Sequence, residues 1–200
     1  PAKIATQNSS ATFARTNDAE RLVFRGAYYL TQLGTAQGIR VYKEKPDDGN
    51  IYGTITAADG NNYYVLVNIV LADDTDNTDA ISNAATSGST VNVMLSGRTI
   101  FKDGSWNTLC LPFDVTLDGS PLADDNVEAR TLTDASLIDG TLTLTFGESV
   151  TELKAGVPYI IKWDNTGNHI VNPVFCGVNV NTSLNPVVID GLISFCGQYN

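Results

Sequence analysis

Apolar and polar residues alternate along much of the chain, which is the pattern of a β-strand with one buried face and one wet face. Between Thr141 and Phe146 the leucines and the phenylalanine fall on one side and the threonines on the other. The run from Tyr63 to Leu71 carries apolar side chains on both faces. The first pattern predicts a half-exposed strand, and the second predicts a strand that is covered on both sides.

Asp-Gly pairs separate these runs at short intervals. Glycine adopts positive φ without steric cost and aspartate tolerates the left-handed region, so such pairs favour tight hairpin turns. The chain has six of them: Asp48-Gly49, Asp59-Gly60, Asp103-Gly104, Asp118-Gly119, Asp139-Gly140 and Asp190-Gly191. Short strands between such turns predict an all-β fold, an antiparallel β-sandwich of meander or Greek-key type. At 200 residues this is one large sandwich or two small β-domains.

One stretch, Asp76 to Ala85, reads as a short helix with Asp76 or Thr78 as its cap. The surrounding polar residues 73–89 are the best candidate for a boundary. We therefore expect a tyrosine-rich, β-rich region over residues 1–75 and a β-sandwich module over residues 76–200.

Four groups of runs stand out in the second half of the chain. These are Val93 to Val115, which contains Trp-Asn-Thr-Leu-Cys-Leu-Pro-Phe; Gly140 to Leu144 with Ala155 to Trp163; Asn172 to Phe175; and Asp190-Gly191 with Phe195 to Tyr199. Together these runs, over roughly residues 76–200, resemble a β-rich module of large exported proteins of Bacteroidetes, where it often lies beside leucine-rich or Ig-like repeats.

This resemblance implies an extracellular or outer-surface location and a structural or adhesive role within a multidomain protein. It brings no catalytic motif, so it assigns no active-site residue. Residues 1–75 resemble no family that we can name. The chain begins at Pro1 without a signal-peptide pattern, so in an exported protein that segment would have been cleaved or would lie outside this sequence.

The net charge of the chain makes some classes of binding partner unfavourable. With 22 acidic and 12 basic side chains the net charge is −10, which repels nucleic acid phosphates and anionic lipid headgroups. No apolar run is long enough to insert into a membrane as a helix. A glycan, a host or matrix protein, and the other domains of the parent chain remain as candidate partners.

Aromatic residues are the candidate ligand contacts, since rigid amphipathic rings are enriched in recognition sites and stack on sugars. Six of the eight tyrosines fall in the first 64 residues, and Tyr63-Tyr64 must point one ring to each face of a strand. Trp163 shares a face with Tyr159 and Ile161 and reads as core. The candidate binding residues are Tyr28, Tyr63, Tyr64 and Trp106. The alternative is that these aromatic residues serve core packing or strand formation and contact no ligand.

Acidic residues crowd one loop, which offers oxygen ligands to calcium. Asp73, Asp74, Asp76 and Asp79 are the candidate ligands. The spacing lacks the glycine and the terminal glutamate of an EF-hand, so a solvated acidic linker is the alternative to a structural calcium site.

No arrangement of residues indicates catalysis. His169 is the single histidine, and it lies beside Gly167-Asn168 without a nucleophile motif. Glycoside hydrolysis needs two carboxyl groups across a cleft, whereas most acids here lie in turns. We therefore predict no catalytic residue and no enzyme activity.

The three cysteines fit neither a disulfide-dense scaffold nor a zinc site. Cys110 lies in an apolar run and reads as a buried thiol. Cys176 and Cys196 each follow a phenylalanine and precede a glycine near the ends of two late strands. If those strands are neighbours, a Cys176–Cys196 disulfide is within reach.

Two functions follow from these observations. The first is a non-catalytic structural or adhesive module of a secreted or surface multidomain protein. The alternative is a carbohydrate-binding module attached to a polysaccharide-degrading enzyme.

Overall fold

The computed structural model of the protein describes residues 41–56, 61–164, 167–189 and 191–199 in full, together with the backbone of three earlier strands. The strands are β1 (Ile4–Gln7), β2 (Ser10–Phe13), β3 (Val23–Phe24), β4 (Val41–Tyr42), β5 (Tyr52–Thr56), β6 (Asn62–Leu66), β7 (Ile69–Ala72), β8 (Val91–Ser96), β9 (Thr99–Ile100), β10 (Asn107–Leu109), β11 (Val115–Thr116), β12 (Val127–Arg130), β13 (Leu132–Ile138), β14 (Thr141–Phe146), β15 (Glu152–Leu153), β16 (Tyr159–Trp163), β17 (Ile170–Val171), β18 (Val174–Val178), β19 (Val187–Ile189) and β20 (Ile193–Phe195). The described residues contain one helix, α1 (Thr78–Ser87).

The protein is mostly β, as the alternation predicts. Its described strands form several small sheets rather than two broad ones. The largest is four-stranded, in the order β3-β4-β6-β5, and two sheets have three strands, in the orders β18-β8-β7 and β10-β16-β12. The remaining sheets are two-stranded. The β-rich class is thus confirmed, while the facing-sheet arrangement stays a prediction.

One strand pair departs from the predicted antiparallel pattern. Strands β7 and β8 run parallel, with Ile69 opposite Val93 and Leu71 opposite Leu95. A parallel pair needs a crossover connection, and α1 supplies it. The helix buries Ile81 and Ala84, which lie three residues apart and therefore on one side of it. The short helix that the sequence predicts is therefore part of a β-α-β unit that spans the predicted boundary.

The helix begins two residues later than the sequence predicts. A carboxylate oxygen of Asp76 accepts a hydrogen bond from the backbone N–H of Thr78 at 2.9 Å, which satisfies one of the open donors of the first turn. The helix ends at Gly88, whose left-handed conformation directs its N–H to the carbonyl of Ala85. None of the described helical structure is long and apolar enough to cross a membrane.

Two buried clusters form the described interior, and β18 contributes to both. Phe175 packs in the larger cluster with Phe113 and Trp163. Its neighbour Val174 points the other way, into a smaller cluster with Val41, Tyr63, Val65 and Val67. Residues on the two sides of the predicted boundary at 75/76 therefore share one interior, and the β7–β8 pair also crosses that boundary.

The hairpin β13–β14 has the strand and the turn that the sequence predicts. Asp139 and Gly140 both adopt positive φ, 51° and 77°, the conformation of a tight two-residue hairpin turn. Leu137 lies opposite Leu142, so the leucines do share one face. That face is not buried in the described structure, since Leu142 is 47% exposed and Leu144 is 41% exposed.

Candidate functional site

The structure separates the two tyrosines of the adjacent pair. Tyr63 is 5% exposed and packs in the smaller core cluster, which favours core packing over ligand contact for this residue. Tyr64 points to the opposite, outer face of the four-stranded sheet and is half-buried there, directly across from Tyr42. Strand alternation imposes this split, because neighbouring residues point to opposite faces. Tyr28 lies outside the described residues.

The acidic loop is not gathered into a metal site. Asp73 forms an ion pair with Arg98 at 3.4 Å, Asp76 binds the start of α1, and Asp79 lies in the first helical turn. Asp74 occupies a left-handed turn position. Across the described part of the chain, no group of three or more His, Cys, Asp or Glu side chains could hold a metal ion. The predicted calcium ligands Asp73, Asp74, Asp76 and Asp79 thus do not converge.

The residue that organises this loop is Asn77, which sequence reasoning missed. Its amide nitrogen donates hydrogen bonds to the carbonyls of Ala72 (3.0 Å), Thr75 (2.9 Å) and Tyr199 (2.7 Å). Its amide oxygen accepts a hydrogen bond from the N–H of Ala72 at 3.0 Å. Asn77 is buried, and these bonds satisfy it as buried polar groups require. Its position among acidic loop residues gives no signal of this role.

All three cysteines are free thiols, so the prediction of a Cys176–Cys196 disulfide is wrong for this structure. The condition for that bond fails because β18 pairs with β8, whereas Cys196 follows β20, which pairs with β19. Cys176 packs against the smaller core cluster. Cys196 is exposed, and its sulfur lies 3.0 Å from the Ser194 hydroxyl.

The reactivity of the three thiols should differ sharply. Burial raises the pKa of Cys110 to about 11, an effect that a hydrogen bond with Tyr199 offsets in part. Burial also raises the pKa of Cys176 to about 12. Because the thiolate is the reactive form, iodoacetamide at about pH 8 should label Cys196 first. Peptide mass spectrometry without reduction measures the order, and equal labelling of all three or a disulfide-linked peptide would contradict it.

Cys110 lies beside a small cavity that the last described residues close. The cavity has a volume of about 330 Å³, and its lining includes Leu109, Cys110, Tyr159, Cys196 and Tyr199. We call residues 193–199 the closing segment. The Tyr199 hydroxyl donates a hydrogen bond to the carbonyl of Ser183 at 2.6 Å, which fixes this segment over the cavity.

A larger cleft of about 1110 Å³ has His169, Asp114 and Glu152 in its lining. Asp114 accepts hydrogen bonds from the Ala155 N–H (2.8 Å) and from Lys154 (3.0 Å), and both lower its carboxyl pKa. Glu152 pairs with the same lysine at 2.7 Å. A general acid for glycoside hydrolysis requires a raised pKa, the opposite of what Asp114 has.

The ring of His169 serves the local structure. Its Nδ1 accepts a hydrogen bond from the backbone N–H of Lys102 at 3.1 Å. The ring also packs edge-on against Phe101, with centroids 5.0 Å apart. A triad base would need a hydroxyl on one ring nitrogen and a carboxylate on the other. Here a backbone amide occupies Nδ1.

The two tryptophans have opposite surroundings. Trp163 is fully buried, and its indole N–H donates a hydrogen bond to the carbonyl of Leu122 at 3.0 Å, so the core interpretation of Trp163 is confirmed. Trp106 is 44% exposed. It immediately precedes β10, and because Asn107 pairs with Ile161, Trp106 lies across from Lys162.

Trp106 belongs to the outer face of the sheet β10-β16-β12, whose inner face is core. Lys162 stands between Trp106 and Glu128, its partner in register on β12. The Lys162 ammonium lies 5.0 Å from the indole centroid and 3.1 Å from a Glu128 carboxylate oxygen. Arg130 holds the other oxygen of Glu128 at 2.7 Å. Hydrogen bonds from Lys162 and Arg130 lower the pKa of Glu128, which favours its carboxylate form. We call Lys162, Glu128 and Arg130 the charged ladder.

A second exposed surface is apolar. Leu137, Leu142 and Leu144, which we call the leucine face, lie on one side of the β13–β14 hairpin. Phe146 at the base of the hairpin packs edge-on against Phe195 at 6.0 Å, and β19 lies beside β13. The strand pair β19–β20 therefore covers the base of the β13–β14 hairpin and leaves the leucine face open to solvent.

Comparison with known proteins gives no family model, no curated protein and no solved structure that matches the chain. The resemblance to a Bacteroidetes surface module therefore stays a prediction from the sequence.

Proposed function

We propose that the chain is a non-catalytic structural or adhesive module of a secreted or surface multidomain protein, and that it binds a partner protein through the leucine face. The observation that carries this proposal is the exposure of Leu137 (56%), Leu142 and Leu144 on one side of a hairpin whose pairing is continuous from Asp134 to its turn. Contiguous apolar side chains of this kind on a folded surface mark interaction sites.

The hairpin geometry supports a contact role. A two-stranded hairpin has marginal stability by itself, and burial of its apolar face stabilises it. The turn at Asp139-Gly140 is well formed and β14 pairs with β13 along its whole length, so the leucines are presented on an ordered scaffold. Presentation on a regular element lowers the entropy that is lost on binding.

The charge around the leucine face favours a basic partner. No lysine or arginine occurs between Thr131 and Leu153, whereas Asp139 lies in the hairpin turn and Glu148 and Glu152 follow β14. The occupant that fits is a protein surface with an apolar strip bordered by lysine or arginine. A second copy of this chain fits less well, because each copy carries a net charge of −10.

Substitution of the leucine face tests this function. Leu142→Asn combined with Leu144→Asn should weaken binding to an immobilised panel of fibronectin, laminin, type I collagen and mucin by at least about tenfold, as expected for central apolar contacts. Surface plasmon resonance measures the affinities. The expected binding partner is a basic member of the panel, and raising ionic strength from about 0.1 to 1 M should weaken its binding.

Thr143→Asn is the matched control, because Thr143 lies on the same strand and points to the opposite face. It should bind as the unsubstituted protein does. The proposal is overturned if no panel protein binds, if the double variant binds normally, or if light scattering shows a dimer that the double variant abolishes. The last result would identify a second copy as the occupant.

A second candidate function, the carbohydrate-binding module, is favoured by one specific observation. Trp106 exposes much of its indole beside the charged ladder, on the outer face of a sheet whose inner face is buried core.

A further inference from the structure

We propose that the face formed by Trp106 and the charged ladder binds a neutral glycan, with a pyranose ring stacked on the indole and its hydroxyl groups hydrogen-bonded to Lys162 and Glu128. The site uses none of the residues of the leucine face. Glycan binding at this face is a specific form of the carbohydrate-binding function given above as the second candidate. It does not depend on the partner protein proposed for the leucine face.

The loop that carries Trp106 is held rigidly. The side chain of Asn107 closes it, because its amide oxygen accepts a hydrogen bond from the N–H of Phe101 at 2.9 Å and its amide nitrogen donates one to the carbonyl of Phe101 at 2.8 Å. Within the loop, the N–H of Ser105 donates a hydrogen bond to Asp103 at 2.9 Å. A platform fixed before binding loses little conformational entropy when a ligand arrives.

The indole offers the apolar half of the interaction. An indole presents a wide π-face, and the C–H groups on one side of a pyranose ring contact such a face favourably. The Lys162 ammonium lies over one face of the indole, and Trp106 still stays 44% exposed. Ring area therefore remains for a sugar, next to a charged hydrogen-bond donor.

The ladder offers the polar half. Each vicinal hydroxyl of a sugar both donates and accepts, and it can therefore join an ammonium to a carboxylate. Lys162 and Glu128 present such a pair 3.1 Å apart, in the cross-strand row that begins at Trp106. Lys162 has three N–H donors and Arg130 has five, more than their bonds to Glu128 require.

The charge pattern favours a neutral sugar over an acidic one. The ladder alternates in sign, and Lys162 and Arg130 both pair with Glu128, which leaves a local net charge of only +1. The whole chain carries a net charge of −10, which repels a polyanion at long range. A neutral polysaccharide meets no such repulsion and can still use every donor and acceptor of the face.

Affinity gel electrophoresis tests the site with soluble polysaccharides. The probes are xyloglucan, glucomannan, galactomannan and amylopectin as neutral polymers and polygalacturonate as an acidic one. The unsubstituted chain should be retarded by at least one neutral polymer and not by polygalacturonate. Trp106→Ala should weaken that binding by at least about tenfold, and Lys162→Met by about threefold to tenfold, because charged hydrogen bonds are stronger than neutral ones.

Phe101→Ala is the matched control, because Phe101 is an exposed aromatic residue of the same loop that packs against His169 and lies outside the ladder. It should bind normally. Fluorescence gives a second readout, since Trp163 is fully buried and acrylamide therefore quenches mainly Trp106. A bound neutral polymer should reduce this quenching.

Retardation by no neutral polymer of the panel overturns the proposal. So does stronger binding of polygalacturonate, or equal binding by Trp106→Ala and the unsubstituted chain. The leucine-face variant Leu142→Asn/Leu144→Asn should bind polysaccharide normally, so a failure of the glycan site and a failure of the protein-docking surface are distinguishable.

Discussion

Replacing Gly197 with alanine is expected to lower the free energy of unfolding by about 3 kcal/mol, at the upper end of overpacking effects. A methyl group at this position would overlap Cys110 Sγ and lie 2.5 Å from Cys110 Cβ. The first of these atoms could rotate away, but the second is fixed to the backbone next to β10. The closing segment must therefore move, which also breaks the contacts of Tyr199. Urea denaturation measures the loss.

A double-mutant cycle isolates the cause. Cys110→Ala removes the sulfur and should restore part of the stability of Gly197→Ala, whereas Cys110→Gly also removes Cβ and should restore more, less the entropic cost of an added glycine. Additive losses in the Gly197→Ala/Cys110→Gly variant would show that the two residues do not meet. Limited proteolysis provides an independent check, because the Gly197→Ala variant should be cleaved within residues 193–199 sooner than the unsubstituted protein.

Asn77→Asp is expected to cost about 3 kcal/mol at neutral pH, although the two side chains have almost the same shape. The carboxylate keeps the acceptor for the Ala72 N–H but can no longer donate to the carbonyls of Ala72, Thr75 and Tyr199. A buried negative charge facing three carbonyl oxygens is repelled by all of them. Denaturation curves at several pH values measure the effect.

The pH dependence distinguishes this cause from a simple loss of the hydrogen bonds that Asn77 donates. Burial opposite carbonyls should raise the pKa of the introduced carboxyl group above its unfolded value. A raised folded pKa contributes stability below the unfolded pKa that is lost as pH rises through the folded value. The deficit of the variant should therefore shrink in acid. Asn77→Ala is the control, because its deficit should not follow this titration, and a pH-independent deficit in Asn77→Asp would contradict the explanation.

Contacts within the folded protein join runs that lie far apart in the sequence. Cys110 belongs to the Trp-Asn-Thr-Leu-Cys-Leu-Pro-Phe run and packs against Gly197 of the closing segment. The carbonyl of Leu111 accepts a hydrogen bond from the N–H of Gly156 at 2.8 Å, and the carbonyl of Gly156 accepts one from the N–H of Asn185. The runs thus hold one another in place, and their residue types follow from contacts within the fold.

The part of the fold that these contacts hold together also carries both proposed binding surfaces. The sheet β10-β16-β12 buries Trp163 and Ile161 on one side and displays Lys162 on the other. Arg130 ends β12, and its guanidinium donates a hydrogen bond to the carbonyl of Gly147 at 3.2 Å, beside the base of the β13–β14 hairpin. A rigid core therefore presents a polar, aromatic face and an apolar hairpin, each of which is tested by its own substitutions.

Local patterns in the sequence predict much of this description. The strand Thr141–Phe146, the turn at Asp139-Gly140 and the strand Tyr159–Trp163 appear where alternation and turn chemistry place them. The core position of Trp163 also follows from its neighbours on the strand. The candidate site residue Trp106 is exposed as a ligand contact must be, while Tyr63 is not.

The sequence by itself determined where strands and turns form, because residue periodicity and backbone preference act over a few neighbouring residues. Tertiary structure alone decided which faces are covered, and it left the leucine face open although its alternation matches that of a buried strand. It also decided the parallel β7–β8 pair, the separation of Cys176 from Cys196, and the bond between Asn77 and Tyr199, which lie 122 residues apart. Such contacts depend on how distant elements pack, and packing leaves no periodic trace in the chain.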